Sequence, residues 1–367
     1  MTLTATRGES GEQTKLAVID CDIHNSLPSE QTLRKYLPER WRSHHDEYGS
    51  RGFSGAFYPL ANQNAARTDS WPPSGLPPGS DLGFLREQLL DLWNLEYGIL
   101  LPLLGAGRQL NLGYGAARAS AINDWQIEEW LDKEPRLRGS IIVAFEDAEL
   151  SAAEIDRLGD HPRFVQVLIE SRTLHPLGQR RYWPMYEAAC RHDLPVAMHF
   201  GALGGWPIGS GIGAPSFYIE YHTGQLTSFQ DQVVSLVCEG VFERFPTLRF
   251  VLVEGGFGWL PPLMWRLDRA WRKLKSEVPD LKRLPSEYLR EHFWFTTQPV
   301  EEPPRADEFR QLLDDLAMPD KIMFATDYPH WDFDAPNEAI PSWLSEETRR
   351  AIFAENARKL YRLGAGC

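Results

Sequence analysis

The chain is poor in cysteine: the four present, Cys21, Cys190, Cys238 and Cys367, show no paired spacing and no CxxC. That excludes a disulfide framework and a cysteine-based metal knuckle, and reads as reduced thiols in a cytoplasmic protein. Basic charge is short as well. With 38 Lys and Arg against 51 Asp and Glu, the formal charge is −13, which argues against a nucleic-acid or anionic-membrane surface. No window approaches 18 uninterrupted apolar residues, so no spanning helix is expected. The first fifteen residues lack the apolar core of a signal peptide and read as a flexible tail. No internal repeat stands out, and no glycine-rich phosphate turn follows the first apolar run.

What the chain does have is a recurrence of short apolar runs. Leu16–Ile23, Tyr97–Leu103, Arg138–Phe145, Phe164–Glu170, Pro195–Phe200, Arg249–Glu254, His292–Thr297 and Lys321–Thr326 read as strands. Several are apolar almost throughout, as parallel strands buried on both faces should be. Helical patterns separate them, notably one capped from Ser80, others over Ala116–Leu131 and Ser228–Phe245, and a closing one over Ser345–Leu363. Strands and helices alternating in this way predict one (β/α)8 barrel of the TIM type over residues 16–367. An open doubly wound sheet is the competing fold. Residues 40–79 and 201–227 read as long insertions at the C-terminal face, building either the substrate pocket or a contact between copies in a homodimer or larger homo-oligomer. The second carries six glycines between Gly201 and Gly213.

The chemistry gathers where strands end. Asp22 and His24, two apart on one strand, project to the same side. His199 and Asp327 end two later apolar runs, and a closed barrel brings strands 1, 5 and 8 around one mouth. Two carboxylates and two imidazoles suit one divalent ion, with zinc expected and manganese or iron as alternatives. Singly each has a plainer reading: a turn-bonding His24, a core His199, an Asx turn at Asp327. Glu254, closing strand 6, reads as a general base if burial raises its pKa, or as a rim ion pair to an arginine. His222 is a further catalytic candidate. Arg172 would anchor a substrate carboxylate, His330 would bond near the metal, and Trp206, Trp259 and Trp331 would wall a planar ligand.

The chain resembles the amidohydrolase-related group that includes aminocarboxymuconate semialdehyde decarboxylase and the resorcylate-type decarboxylases. The resemblance rests on Cys238-Glu-Gly-Val-Phe-Glu-Arg-Phe-Pro-Thr-Leu-Arg249, Glu254-Gly-Gly-Phe-Gly-Trp-Leu-Pro261 and Phe324-Ala-Thr-Asp-Tyr-Pro-His330. It implies a mononuclear site held by Asp22, His24, His199 and Asp327, with Asp327 also handling protons. Glu254 stands where that group usually has a histidine before paired glycines. The extra carboxylate favours hydrolysis by activated water of a small aromatic or cyclic carboxylate-bearing substrate. The alternative is metal-dependent, non-oxidative decarboxylation of an aromatic or unsaturated acid.

Overall fold

A computed structural model describes residues 16–49, 65–201, 213 and 215–364. Eight strands form one all-parallel sheet in sequence order: β1 (Val18–Ile23), β2 (Leu95–Leu100), β3 (Leu137–Ile142), β4 (Phe164–Glu170), β5 (Val196–His199), β6 (Phe250–Val253), β7 (Phe293–Thr296) and β8 (Ile322–Met323). The sheet curls until its ends meet. Cys21 donates its N–H to the Phe324 carbonyl at 2.9 Å, and His24 donates to Tyr328 at 2.7 Å. Asp20, pointing inward, takes the N–H of Thr326 at 3.0 Å and its hydroxyl as well. The expected (β/α)8 barrel is thus the observed fold.

All eight apolar runs became strands, with shifted limits. At β8 regular pairing stops after Met323, and beyond it Asp20 captures the backbone of Thr326. β4 is buried at every position, since helices cover its outer side and the barrel fills its inner one. The covering helices show the matching stripe. In Ala148–Leu158 the buried positions include Ala148, Ser151, Ala152, Ile155 and Leu158, the three-and-four spacing of one helical face.

Caps set the helix starts. Asp81, Asn111, Asp147 and Ser345 each accept a backbone N–H three residues on. The first is one residue later than the Ser80 cap expected. The segment 40–79 opens within the helix Glu39–Tyr48, whose Trp41 ring packs by Tyr114, where the composition showed little helical period. Within 201–227, Tyr218–Gly224 is helical. The N-terminal tail lies outside the described residues. No helix among the described residues is long and apolar enough to cross a membrane.

Candidate metal centre

Strand alternation puts Asp20, Asp22 and His24 on the inner side of β1 and its extension. Asp22 is fully buried, and His24 nearly so. His199 ends β5, while Asp327 follows β8 after the bend at Thr326. The four meet at the mouth. His24 Nε2 lies 3.2 Å from Asp22 Oδ1 and 2.8 Å from Asp327 Oδ1. His199 Nε2 lies 3.6 Å from Asp22 Oδ2 and 3.3 Å from Glu254 Oε2.

The imidazoles are aimed by their other nitrogens. His24 Nδ1 is 2.8 Å from the Leu101 carbonyl, and His199 Nδ1 is 2.6 Å from that of Phe200. A carbonyl only accepts, so each Nδ1 carries the proton and each Nε2 faces the carboxylates. Asp22 Oδ1 and Oδ2, His24 Nε2, His199 Nε2 and Asp327 Oδ2 are all buried, and none makes a hydrogen bond. Five such atoms turned toward one point are costly as neutral or anionic groups, and a divalent cation satisfies all of them. Asp22, His24 and His199 place one donor atom each within 4.8 Å of one another, as do His24, Asp327 and His330. The donor set fits a divalent ion.

Electrostatics points the same way. Burial works against charge on His199, yet Asp22 and Glu254 outweigh it and push its pKa up to about 9. Buried anions at this spot demand a positive charge, and metal binding would release that proton. Burial, then the Glu254 charge, lifts Asp327 well above the ordinary carboxyl range. Glu254 itself is raised to about 7, chiefly by burial. His330 is held near 3 by burial and by neighbouring His24, so it stays neutral. Its Nδ1 lies 2.6 Å from Asp327 Oδ1.

Two of these acids sit on strained backbone. Glu254 has φ 59° and Asp327 φ 61°, left-handed conformations that a side chain with Cβ adopts at a cost of about 1–3 kcal/mol each. After Glu254, Gly256 is also left-handed, and the Glu301 carboxylate occupies the space a Cβ there would need. Glu301 accepts the N–H groups of Phe257 and Gly258 and so fixes the turn that carries Glu254.

The remaining candidates fall out differently. Glu254 meets His199 and not an arginine. His222 Nε2 is 3.0 Å from Asp332 Oδ2, and with Glu254 these form a third cluster of close donor atoms. Asp332, 110 residues from His222, was not anticipated. Arg172 is buried at the barrel rim, where it donates to the Gly201 carbonyl and, at 3.1 Å, to the Tyr221 hydroxyl. Beside it, Arg108 pairs with Glu170. Trp259 gives its Nε1–H to Gly255 O at 2.8 Å and packs against the core as the residue before a helix. Trp331 is partly exposed near His222, and Trp206 lies outside the described residues.

A family model described as amidohydrolase matches residues 19–363. The chain is a member of the amidohydrolase family. Solved structures share this amidohydrolase barrel at low identity. A dihydroxybenzoic acid decarboxylase from Polaromonas sp. JS666, solved with bound manganese and 2-nitroresorcinol, matches with TM-score 0.65 and 22% identity over 95% of this chain and 97% of that one. A 5-carboxyvanillate decarboxylase from Sphingomonas paucimobilis matches with TM-score 0.68 and 22% identity over 95% and 100%. Another from Novosphingobium aromaticivorans, with manganese and a nitrated hydroxymethoxybenzoic acid, gives TM-score 0.70 and 20% identity over 97% and 99%.

Proposed function

We propose that this amidohydrolase-family chain is a metal-dependent decarboxylase that removes a carboxyl group, without oxidation, from an aromatic acid. This reverses the order of preference drawn from Glu254 alone, which put hydrolysis first. The observation that carries the reading is the cavity opening on His24 and His330. It measures about 340 Å3, and prolines and leucines make up much of its lining, among them Pro28, Pro77, Pro329 and Leu103. Such walls suit a flat ring, and a ring seated against them would displace water. Loss of CO2 from a carboxylate is favoured where water is excluded, whereas hydrolysis consumes water at the same place. The structural relatives named above act on hydroxylated benzoic acids, which supports the same direction.

Asp22, His24, His199 and Asp327 are the residues that would hold the ion. A divalent ion held there supplies positive charge for a substrate carboxylate and its neighbouring hydroxyl. The chain's own groups do the rest. When the carbon–carbon bond to the carboxyl group breaks, its electron pair stays on the ring carbon and needs a proton. Asp327 would deliver it: its Oδ1 lies 2.6 Å from His330 Nδ1, a contact that orients the carboxyl. With Glu170 neutralising Arg108, Arg172 leaves the rim by Gly201 one net positive charge, which suits an anionic substrate.

The hydrolase reading keeps one observation in its favour. Glu254, buried beside His199 with a pKa near 7, is suited to taking a proton from water. A panel of hydroxybenzoic acids, aryl amides and lactones, offered to manganese- and zinc-loaded protein in D2O, separates the two. Decarboxylation releases CO2 and leaves one deuterium on the ring carbon. Turnover of amides or lactones, with every aryl acid untouched, would overturn the proposal.

A further inference from the structure

The cavity against His24 and His330 contains one buried polar side chain that neither the fold nor the metal cluster uses among the described residues. Asn25 follows His24 directly and is only 1% exposed, yet neither its Oδ1 nor its Nδ2 has a hydrogen-bond partner among the described residues. It lines the cavity. Polar neighbours on the same wall are already engaged. Ser26 donates to the Pro78 carbonyl at 2.5 Å, and Glu30 is held by both terminal nitrogens of Arg118 at 2.7 and 2.9 Å. A buried amide left without partners is destabilising, so its retention calls for a partner that arrives from outside.

We infer that Asn25 is a specificity-determining residue, binding a hydroxyl group on the ring of the substrate seated in this cavity. An amide offers one acceptor and two donors side by side, and a phenolic hydroxyl can both give and take a hydrogen bond. The apolar walls contribute affinity for the ring whatever its substituents, but a buried amide discriminates. A ring that lacks the hydroxyl would leave Asn25 desolvated and unpaired, a larger penalty than any missing apolar contact. The rim supports the placement. Gly79, with φ +73°, packs so closely on the His24 carbonyl that a Cβ there would not fit, and Pro77 and Pro78 before it line the same cavity as Asn25. The inference rests on the aryl-acid reading above and adds the substituent pattern to it.

The test measures binding as well as turnover. Manganese-loaded protein is titrated, by quenching of its tryptophan fluorescence, with unreactive nitro analogues of benzoic acid that carry or lack a ring hydroxyl remote from the metal-binding pair. The hydroxylated ring should bind at least about tenfold more tightly, and Asn25→Leu should abolish that preference while keeping affinity for the plain ring. Because the amide is unpaired among the described residues, Asn25→Leu and Asn25→Ala should keep their metal, and Asn25→Leu should melt no lower than the parent. A preference unchanged in both variants overturns the inference, as does equal binding of the two rings by the parent. A marked fall in Tm for Asn25→Leu does so too, since it would make the amide a structural group. Failure of the parent to bind either ring would remove the aryl-acid reading itself, an outcome separate from the other three.

Discussion

Two buried asparagines, Asn25 and Asn123, divide the molecule between them. Asn123, in the helix Leu112–Gln126, is fully buried, and both ends of its amide are engaged. Its Nδ2 donates to Ile142 O at 2.9 Å and to Glu154 Oε1 at 2.7 Å, while its Oδ1 accepts the Ile142 N–H at 2.8 Å. It stitches the helix layer to β3. Asn25, buried to the same degree at the mouth, has no partner among the described residues. Both oxygens of Asp22 share that condition, and His24, His199 and Asp327 each leave one polar atom unpaired at the same mouth. The same chemistry is spent on stability in one place and held in reserve in the other. At the mouth, unsatisfied polar atoms coincide with two left-handed acids whose carboxyl pKa values are raised, and that coincidence marks the site.

The largest expected effect comes from removing a group whose satisfaction must come from outside. His199→Ala should lose most of its bound metal and all detectable turnover, because one of four donors is gone. Asp22 and Glu254 lose the His199 charge and would take up protons in its place, so the fold should survive. Metal content by elemental analysis, read beside circular dichroism, checks both halves. A His199→Ala protein with full metal occupancy would mean that the converging donors at the mouth serve structure after all.

Next in size is the split between the two strained acids. If Asp327 delivers the proton, Asp327→Asn should slow the chemical step by roughly 10²–10⁴-fold, the usual worth of acid–base catalysis. As Asp327 is also placed to hold the ion, metal content is measured in the same preparation. Glu254→Gln keeps size and loses only the proton site, so under decarboxylation it should stay within about tenfold of the parent. A loss of a hundredfold or more in Glu254→Gln, with metal retained, would return hydrolysis to first place.

Asn123 provides the opposite control. Asn123→Ala leaves Glu154 and the Ile142 backbone short of partners, at about 1–3 kcal/mol for each buried group left unpaired, and should lower the midpoint of denaturant unfolding. Metal content and the specific activity of the folded fraction should not change. A stable Asn123→Ala protein would erase the contrast with Asn25.

Much of this plan was legible in the residues alone. Alternation along Val18–Ile23 placed Asp22 and His24 together, and apolar runs ending in His199 and Asp327 pointed to the same mouth, because strand ends in a barrel are forced to converge. The same alternation puts Asp20 on the inner face and would have revealed it. Asp332 could not be found this way, since it meets His222 only once the loop after β8 folds back over the mouth. Nor could Asn25, whose significance lies in lacking partners, a property of the packed neighbourhood and not of the dipeptide His24–Asn25. Left-handed Glu254 and Asp327 were hidden for a related reason. Local preference argues against that conformation, and Glu301 and Asp20, distant in the chain, impose the turns concerned.

Asp20 supplies the smallest effect and the finest test of the contrast, because it lies at the border between the paired and unpaired regions. It is satisfied like Asn123, by the N–H and hydroxyl of Thr326, yet buried in the barrel one turn of the pleat below Asp22. Burial wins over those hydrogen bonds and pushes its pKa up to about 7. A carboxyl that binds its proton more tightly folded than unfolded stabilises the fold most at low pH. Its contribution should therefore decline from the ordinary carboxyl pKa of about 4 up to about 7, and be level above that. This slope runs opposite to that of salt-bridged surface acids such as Asp46, whose pKa is lowered by Arg34. Asp20→Asn keeps the side chain's shape and stays neutral throughout. Its unfolding free energy should depend less on pH between about 4 and 7 than that of the parent, with chemical denaturation at several pH values as the measurement. Parallel pH profiles for the two proteins would show Asp20 to be ionised and fully stabilised by Thr326, which would move it to the side of Asn123.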